Sequence, residues 1–149
     1  ETISGFHNKH AFLSNFYPSP VKLDGVAYPS VEHAYQAAKT LDPNERVKIR
    51  LATAAKMAKR LGKRLKLRPD WESIKLGTMA NLLVQKFQDP DLAALLLETS
   101  GSYLEEGNWW GDTFWGVCEG VGQNHLGKLL MEVREGLENA KRLGNTIHQ

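Results

Sequence analysis

The chain has 149 residues, 42% of them hydrophobic, and a formal net charge of +2. This length is typical of one domain with one core, which buries roughly two thirds of the surface that the unfolded chain exposes. The single cysteine, Cys118, excludes an intramolecular disulfide and fits a reducing compartment, so we expect a cytoplasmic protein. Because the sequence has no long apolar run and no signal-peptide pattern at its start, we expect no membrane partner.

The first predicted elements are two short strands that form a hairpin. The apolar stretches at residues 21–23 and 26–28 flank Asp24 and Gly25, a pair typical of two-residue hairpin turns. Six helices are predicted after it. Ser30, Asp70 and Asp89 are suitable capping residues for three of them, and Gly144 suits the end of the last. The predicted helices span residues 31–41, 44–51, 54–62, 71–88, 91–98 and 125–143.

These elements predict a helix-rich α+β fold in a compact single domain that spans residues 1–149. Its core is expected at about residues 6–137, with a frayed tail at 144–149.

The first predicted helix carries polar residues at helical spacing. Glu32, Gln36 and Lys39 fall on one face, where a carboxylate, an amide and an ammonium group can hold a polar ligand. The alternative, which the spacing alone favours, is an ordinary exposed face on which Glu32 stabilises the positive end of the helix dipole.

A loop at residues 107–116 holds three of the four tryptophans and several glycines. An exposed indole can stack on a nucleobase with about 1–3 kcal/mol, and glycine lets a backbone approach a ligand closely. Asp112 adds a carboxylate. The alternative is that Trp109, Trp110 and Trp115 fill the core while Asp112 makes a turn. We prefer this alternative for Trp115 and leave both interpretations open for Trp110 and Asp112.

Two further patterns indicate anion binding. The glycine-rich segment 120–127 resembles a phosphate-cradling turn at the start of the last helix, with Asn124 as its predicted cap. Between Arg46 and Arg68 there are ten lysines and arginines and no acid, which predicts either a positive surface for phosphates or nucleic acid, or a solvated helical face.

Other catalytic chemistries find little support. The five histidines form no ligand-spaced pair on a helix, so we predict no metal site and no other cofactor. Cys118 has no obvious partner base, and the sequence has no Gly-x-Ser-x-Gly elbow, which disfavours a nucleophilic hydrolase.

Four segments in this order resemble the YbiA-like family of the NADAR superfamily, which is named for its association with NAD and ADP-ribose. They are residues 12–16 (FLSNF), 29–39 (PSVEHAYQAAK), 110–112 (WGD) and 124–134 (NHLGKLLMEVR). The resemblance extends over about residues 6–137 and implies the α+β fold predicted above. It also implies N-glycosidase activity on one of two substrate classes: ribosylamino-pyrimidine phosphates of riboflavin synthesis, or ADP-ribose attached to guanine.

By position, the resemblance places the family's essential acid on Glu32 and its binding tryptophan on Trp110, with Asp112 close by. We therefore predict Glu32 and Asp112 as catalytic residues. The predicted substrate-binding residues are Asn15, Phe16, Gln36, Lys39, Trp110, Gly111 and Asn124.

The expected partner is a small phosphorylated ribosyl or ADP-ribosyl compound, or ADP-ribosylated nucleic acid, and no obligate protein partner is evident. Two alternatives remain open: a non-catalytic module that binds nucleotides or ADP-ribose, and a nucleic-acid-binding protein that uses residues 46–68.

Overall fold

A computed structural model describes residues 1–147 of the protein and divides the chain into two compact units. Residues 15–86 form one unit. Residues 1–14 and the chain from Phe87 onward form the other. The prediction of a single domain stays a prediction.

The unit of residues 15–86 consists of a hairpin followed by four helices. Its elements are β2 (Val21–Leu23), β3 (Val26–Tyr28), α1 (Val31–Ala38), α2 (Pro43–Arg50), α3 (Ala55–Gly62) and α4 (Trp71–Lys86). The other unit contains a 3-10 helix (Asn8–Leu13), β1 (Thr2–Ser4), α5 (Pro90–Glu98), β4 (Tyr103–Glu105), β5 (Gly107–Asn108), β6 (Val117–Cys118) and α6 (His125–Ile147).

The predicted hairpin is confirmed. Strands β2 and β3 pair antiparallel, with Val21 opposite Tyr28. Asp24 and Gly25 have φ angles of 49° and 80°, and two positive φ values are what a type I′ turn requires.

The six predicted helices are also confirmed, so the helix-rich α+β class is correct. The Ser30 hydroxyl accepts a hydrogen bond from the His33 amide at 3.1 Å and caps α1. The prediction that Gly144 ends the last helix is wrong, because α6 continues to Ile147. Glycine stops a helix by adopting a left-handed conformation, and inside a helix it is tolerated at about 1 kcal/mol relative to alanine. The last two residues of the predicted frayed tail, His148 and Gln149, lie outside the described residues.

Helix α1 lies at the centre of the core of its unit. All eight of its residues are buried, and α4 packs against it. Met79, Leu82 and Leu83 of α4 are each at most 1% exposed. The Tyr35 and Trp71 rings pack with their centroids 5.2 Å apart. This packing fixes the backbone of α1, and therefore the position of the polar side chains that it carries.

The other unit packs α6 against α5 and the strand β4. Leu96, Leu104 and Leu130 are completely buried there. Strand β1 pairs with β4 in parallel, with Ile3 opposite Leu104, which the sequence analysis did not predict. Among residues 1–147, no helix is both long and apolar enough to cross a membrane.

Candidate active site

Glu32 is buried in the first turn of α1. It is 7% exposed, and its backbone amide donates a hydrogen bond to the Asn15 carbonyl oxygen at 3.0 Å. The interpretation of an ordinary exposed face is therefore wrong. The reason is tertiary packing, because the rest of the unit covers both the polar and the apolar side of this helix. A carboxylate in such a place has little water to solvate it and depends on hydrogen bonds from the protein.

Gln36, one turn later on α1, supplies one of those hydrogen bonds. Its Nε2 donates to Glu32 Oε2 at 2.6 Å. A bond this short to a carboxylate oxygen is typical of a charge-assisted hydrogen bond, and it orients the carboxylate. The other end of the amide, Oε1, is buried and has no hydrogen-bond partner among the described residues.

Lys39, one residue past the last turn of α1, interacts electrostatically with Glu32 and with three other lysines. Burial lowers the pKa of Lys39, and the charges of Lys59, Lys63 and Lys75 lower it further, whereas the charge of Glu32 raises it. The Lys39 Nζ lies 5.6 Å from the centroid of the Tyr35 ring. The charges that act on Lys39 are thus one carboxylate and three lysines, and such an excess of positive charge attracts an anionic ligand.

Asn15 and Phe16 precede the hairpin. The Asn15 side chain is 9% exposed, and its Nδ2 makes a weak bond to Met79 Sδ at 3.6 Å. Its Oδ1 has no hydrogen-bond partner among the described residues. Phe16 is 40% exposed, with the Lys59 Nζ 5.9 Å from its ring centroid. The unit of residues 15–86 therefore brings together five predicted site residues: Asn15, Phe16, Glu32, Gln36 and Lys39.

His33, in contrast, has a structural role. Its Nε2 donates to the Ala52 carbonyl oxygen at 3.0 Å, and its Nδ1 accepts from the Ser30 hydroxyl at 2.7 Å. Both ring nitrogens are thereby occupied in joining the start of α1 to the segment after α2. Within residues 1–147 there is no cluster of three or more side chains suited to hold a metal ion.

In the other unit, Asp112 forms the turn after the tryptophan pair. Its Oδ1 accepts from the backbone amides of Phe114 at 3.1 Å and Trp115 at 2.9 Å. Asn108 closes the same loop, because its side chain bonds both the amide and the carbonyl group of Asp112. The turn-forming role of Asp112 is confirmed. Its catalytic role stays a prediction.

The three tryptophans of this loop differ in environment. Trp109 is 85% exposed and Trp110 is 50% exposed, with their rings at 86° and their centroids 5.6 Å apart. The alternative that all three fill the core is thus wrong for Trp109 and Trp110. Trp115 is half-buried and packs edge-on against Phe114, and Gly111 has a φ of 86°, a conformation that favours glycine.

Asn124 precedes α6 and is 2% exposed. Its Nδ2 donates to the Leu104 carbonyl oxygen and its Oδ1 accepts from the Glu106 amide, each at 2.9 Å. Asn124 occupies the predicted cap position, since its carbonyl oxygen accepts from the Lys128 amide at 3.0 Å. Its side chain does not cap the helix, because both ends of its amide bond the chain at and after β4.

The basic residues 46–68 divide into two groups. Arg46, Lys48 and Arg68 form ion pairs with Asp24, Glu45 and Asp70. A second group on or just after α3 is exposed, and its members form no ion pair with a carboxylate among the described residues: Lys56, Arg60, Lys63, Arg64 and Lys66. Both interpretations of this stretch stay open.

Comparison with known proteins identifies the family of the chain. The NADAR domain family matches residues 4–138. The N-glycosidase YbiA of Escherichia coli is 42% identical over 144 residues, which cover 92% of this chain and 89% of that protein. The NMR structure of E. coli YbiA superimposes with a TM-score of 0.82 at 39% identity, covering 94% of this chain and 86% of that one.

Two other relatives carry different names. An N-glycosidase of Nostoc punctiforme is 37% identical and covers 85% of each chain. A riboflavin biosynthesis protein of Vibrio vulnificus is 40% identical, with 87% of this chain matching 36% of that longer protein.

The chain belongs to the NADAR domain family. Within that family it is an N-glycosidase similar to YbiA.

Sequence reasoning missed two residues near these groups. Asn108 closes the Asp112 turn by accepting a hydrogen bond from the Asp112 amide. The sequence gives no signal for this contact, because a polar residue four positions before an aspartate is common in loops. Gly62 touches Gln36, as described below. Its only signal was a glycine at a helical position.

Proposed function

We propose that this N-glycosidase hydrolyses the ribosyl C–N bond of a phosphorylated ribosyl or ADP-ribosyl compound, with Glu32 as the catalytic carboxylate. One observation carries the proposal: Glu32 is buried, is held by Gln36 at 2.6 Å, and interacts electrostatically with Lys39, near which further lysines lie. A carboxylate so placed combines a fixed position with a positive environment that suits a phosphorylated substrate.

The chemistry uses this carboxylate on the sugar side. As the C–N bond breaks, its electron pair leaves with the nitrogen of the base, and positive charge develops on the ribosyl carbon. The Glu32 carboxylate stabilises that charge and accepts a proton from the attacking water, whose oxygen bonds the carbon. The departing base takes up a proton from solvent and the protonated Glu32 releases one, so that the carboxylate is regenerated and the products are the free ribosyl compound and the neutral base.

The remaining residues of the same unit bind the substrate. Lys39, with Lys59 and Lys63, binds a phosphate group. The unpartnered Asn15 Oδ1 and Gln36 Oε1 accept hydrogen bonds from the sugar or the base edge. Two buried acceptors without hydrogen bonds lower the stability of the fold unless a ligand donates to them. Their presence therefore supports a polar substrate at this site.

For Trp110, which belongs to the other unit and is 50% exposed, we propose that it stacks on the base or holds the ribose. Gly111 gives the backbone room for close approach. Asp112 orients a ribose hydroxyl or assists proton transfer through Oδ2, because Oδ1 holds the turn. The amides near Asn124 assist in binding phosphate.

The decisive test is Glu32→Gln, which keeps the size of the side chain. We expect kcat to fall by about two to three orders of magnitude, because the charge on the sugar loses its stabiliser. Glu45→Gln is the matched control, since Glu45 occupies the first turn of α2 and pairs with Lys48. If folded Glu32→Gln retains turnover close to that of Glu45→Gln, the catalytic assignment fails.

The substrate class is tested by incubating the enzyme side by side with an ADP-ribosylated guanosine nucleotide, the same modification in an oligonucleotide, and a ribosylamino-pyrimidine phosphate. Chromatography then measures the free base. Binding of one compound without release of base would instead favour the non-catalytic nucleotide or ADP-ribose module.

A further inference from the structure

Gly62, the last residue of α3, lies directly against the Gln36 side chain. A Cβ atom at Gly62 would lie 1.9 Å from Gln36 Oε1 and 2.6 Å from its Cδ. These distances are far below any real contact between a Cβ and another heavy atom. No residue other than glycine therefore fits at position 62 while Gln36 stays where it is.

The backbone gives no other reason for this glycine. Gly62 is not among the residues with positive φ, and the C-cap Lys63 has an ordinary helical φ of −65°. The left-handed conformation that glycine usually supplies at a helix end is absent here. Glycine in a helical position costs about 1 kcal/mol relative to alanine, so its presence indicates a packing requirement.

The requirement concerns the orientation of the Gln36 amide. Its Oε1 has no hydrogen-bond partner among the described residues, so no bond to the protein holds the oxygen against α3. Its Nε2 donates to Glu32 Oε2 at 2.6 Å. Because the amide is a rigid plane, displacing the oxygen also displaces the nitrogen that binds the carboxylate.

We propose that Gly62 is a positioning residue for the Glu32 carboxylate, and that it acts through the amide of Gln36. The inference rests on the proposed catalytic role of Glu32. Gly62 leaves the space in which Oε1 lies, and this keeps Nε2 directed at Oε2. The three heavy atoms nearest to a Cβ at residue 62 all belong to Gln36, so the substitution acts first on that side chain.

The contact itself is tested by thermal unfolding of Gly62→Ala, Gln36→Ala and the double variant. We expect Gly62→Ala to lower Tm in the wild-type background and to lose at least half of that effect when Gln36 is alanine. The clash with Oε1 and Cδ is then gone, and only the Cβ of residue 36 remains, at 3.0 Å. Gly77→Ala in α4 is the matched control, because its Cβ would meet nothing within 4 Å, and we expect its Tm to be unchanged or higher. An equal loss of Tm in both backgrounds would overturn the proposal.

Activity tests the consequence for Glu32, with whichever of the compounds above is turned over fastest. We expect Gly62→Ala to lower kcat about 10- to 100-fold, as displacements near 1 Å do, and to raise KM by a smaller factor, because Gln36 Oε1 is the one proposed substrate contact that moves. In the Gln36→Ala background, the same substitution should leave kcat unchanged within about twofold. Wild-type kcat in folded Gly62→Ala, or the same loss in both backgrounds, contradicts the positioning role. An active Glu32→Gln variant would instead contradict the proposed function, and the Tm comparison would still test the contact.

Discussion

Asn124 holds Leu104 through its side chain: the Nδ2 group donates to the Leu104 carbonyl oxygen at 2.9 Å. The Oδ1 atom of the same amide accepts from the Glu106 backbone amide at 2.9 Å. One side chain thus satisfies a main-chain acceptor and a main-chain donor two residues apart. Only a carboxamide presents a donor and an acceptor in this way, and asparagine also tolerates the positive φ of 53° found at this position.

Asn124→Asp should therefore destabilise the fold, although the two side chains have the same shape. The carboxylate loses the donor to Leu104 and places a charge in a site that is 2% exposed. We expect the free energy of unfolding to fall by about 3 kcal/mol at pH 7, measured by urea unfolding. Asn44→Asp, at an exposed position, is the control and should change stability little. Equal stability of the two variants would contradict the structural role of the two Asn124 hydrogen bonds.

The lowered pKa of Lys39 predicts a pH-dependent KM. Burial and the neighbouring lysines favour the neutral amine, so Lys39 loses its proton at a lower pH than an ordinary lysine, whose pKa is 10.5. For a phosphorylated substrate, KM should therefore rise as the pH increases toward 10. Lys39→Arg keeps its charge throughout this range and should remove the rise. The measurement is KM from pH 7 to 10 for both proteins. A rise of the same size in Lys39→Arg would assign it to another group.

Lys86 should make stability depend on pH. It is 1% exposed, and burial lowers its pKa to about 7, with its Nζ 5.7 Å from the centroid of the Tyr17 ring. Between about pH 7 and 10 the unfolded chain binds a proton at this residue and the folded chain does not. The free energy of unfolding should therefore rise with pH, by up to about 1.4 kcal/mol per unit, and become independent of this group below pH 7.

Lys86→Met should flatten this dependence, because methionine fills a similar volume and has no proton to bind. The measurement is urea unfolding at several pH values between 6.5 and 10. Lys128→Met, at an exposed position, should keep the wild-type slope. An unchanged slope in Lys86→Met would show that the pH dependence comes from other groups.

Arg134 joins α6 to the end of α5. Its guanidinium is buried and donates to the Thr99 carbonyl oxygen at 2.9 Å and the Thr99 hydroxyl at 3.0 Å. A cation at a helix C-terminus also interacts favourably with the helix dipole. Arg134→Met should lower the free energy of unfolding by about 2 kcal/mol, since the two acceptors lose their donor. Chemical denaturation measures this, with Arg142→Met on the exposed end of α6 as control. A loss no larger than that of the control would disprove the role of the Thr99 contact.

The helices and the hairpin were predictable because their signals are local. Ser30 and Asp89 cap helices through side chains that bond amides two or three residues away. The hairpin follows from Asp24 and Gly25 between two short apolar stretches. The parallel pairing of β1 with β4 was not predictable, because it joins Ile3 to Leu104 through three-residue strands that have no pattern of their own.

The sequence predicted which residues form the site on α1, but it did not predict that they are buried. The spacing of Glu32, Gln36 and Lys39 placed them on one face, whereas their burial depends on α3 and α4, which cover α1 from elsewhere in the sequence. The role of Gly62 depends on a contact with Gln36 across two helices, and no local pattern records such a contact.

The contrast between Trp71 and Trp109 has a practical consequence. Trp71 is 4% exposed and Trp109 is 85% exposed, so a collisional quencher in solution reaches the second indole and not the first. Intrinsic fluorescence can therefore follow two processes without any label: binding at the aromatic loop and unfolding of the unit of residues 15–86. Quenching by iodide reports on what covers the aromatic loop, and the blue-shifted emission of Trp71 reports on whether the helical unit stays folded.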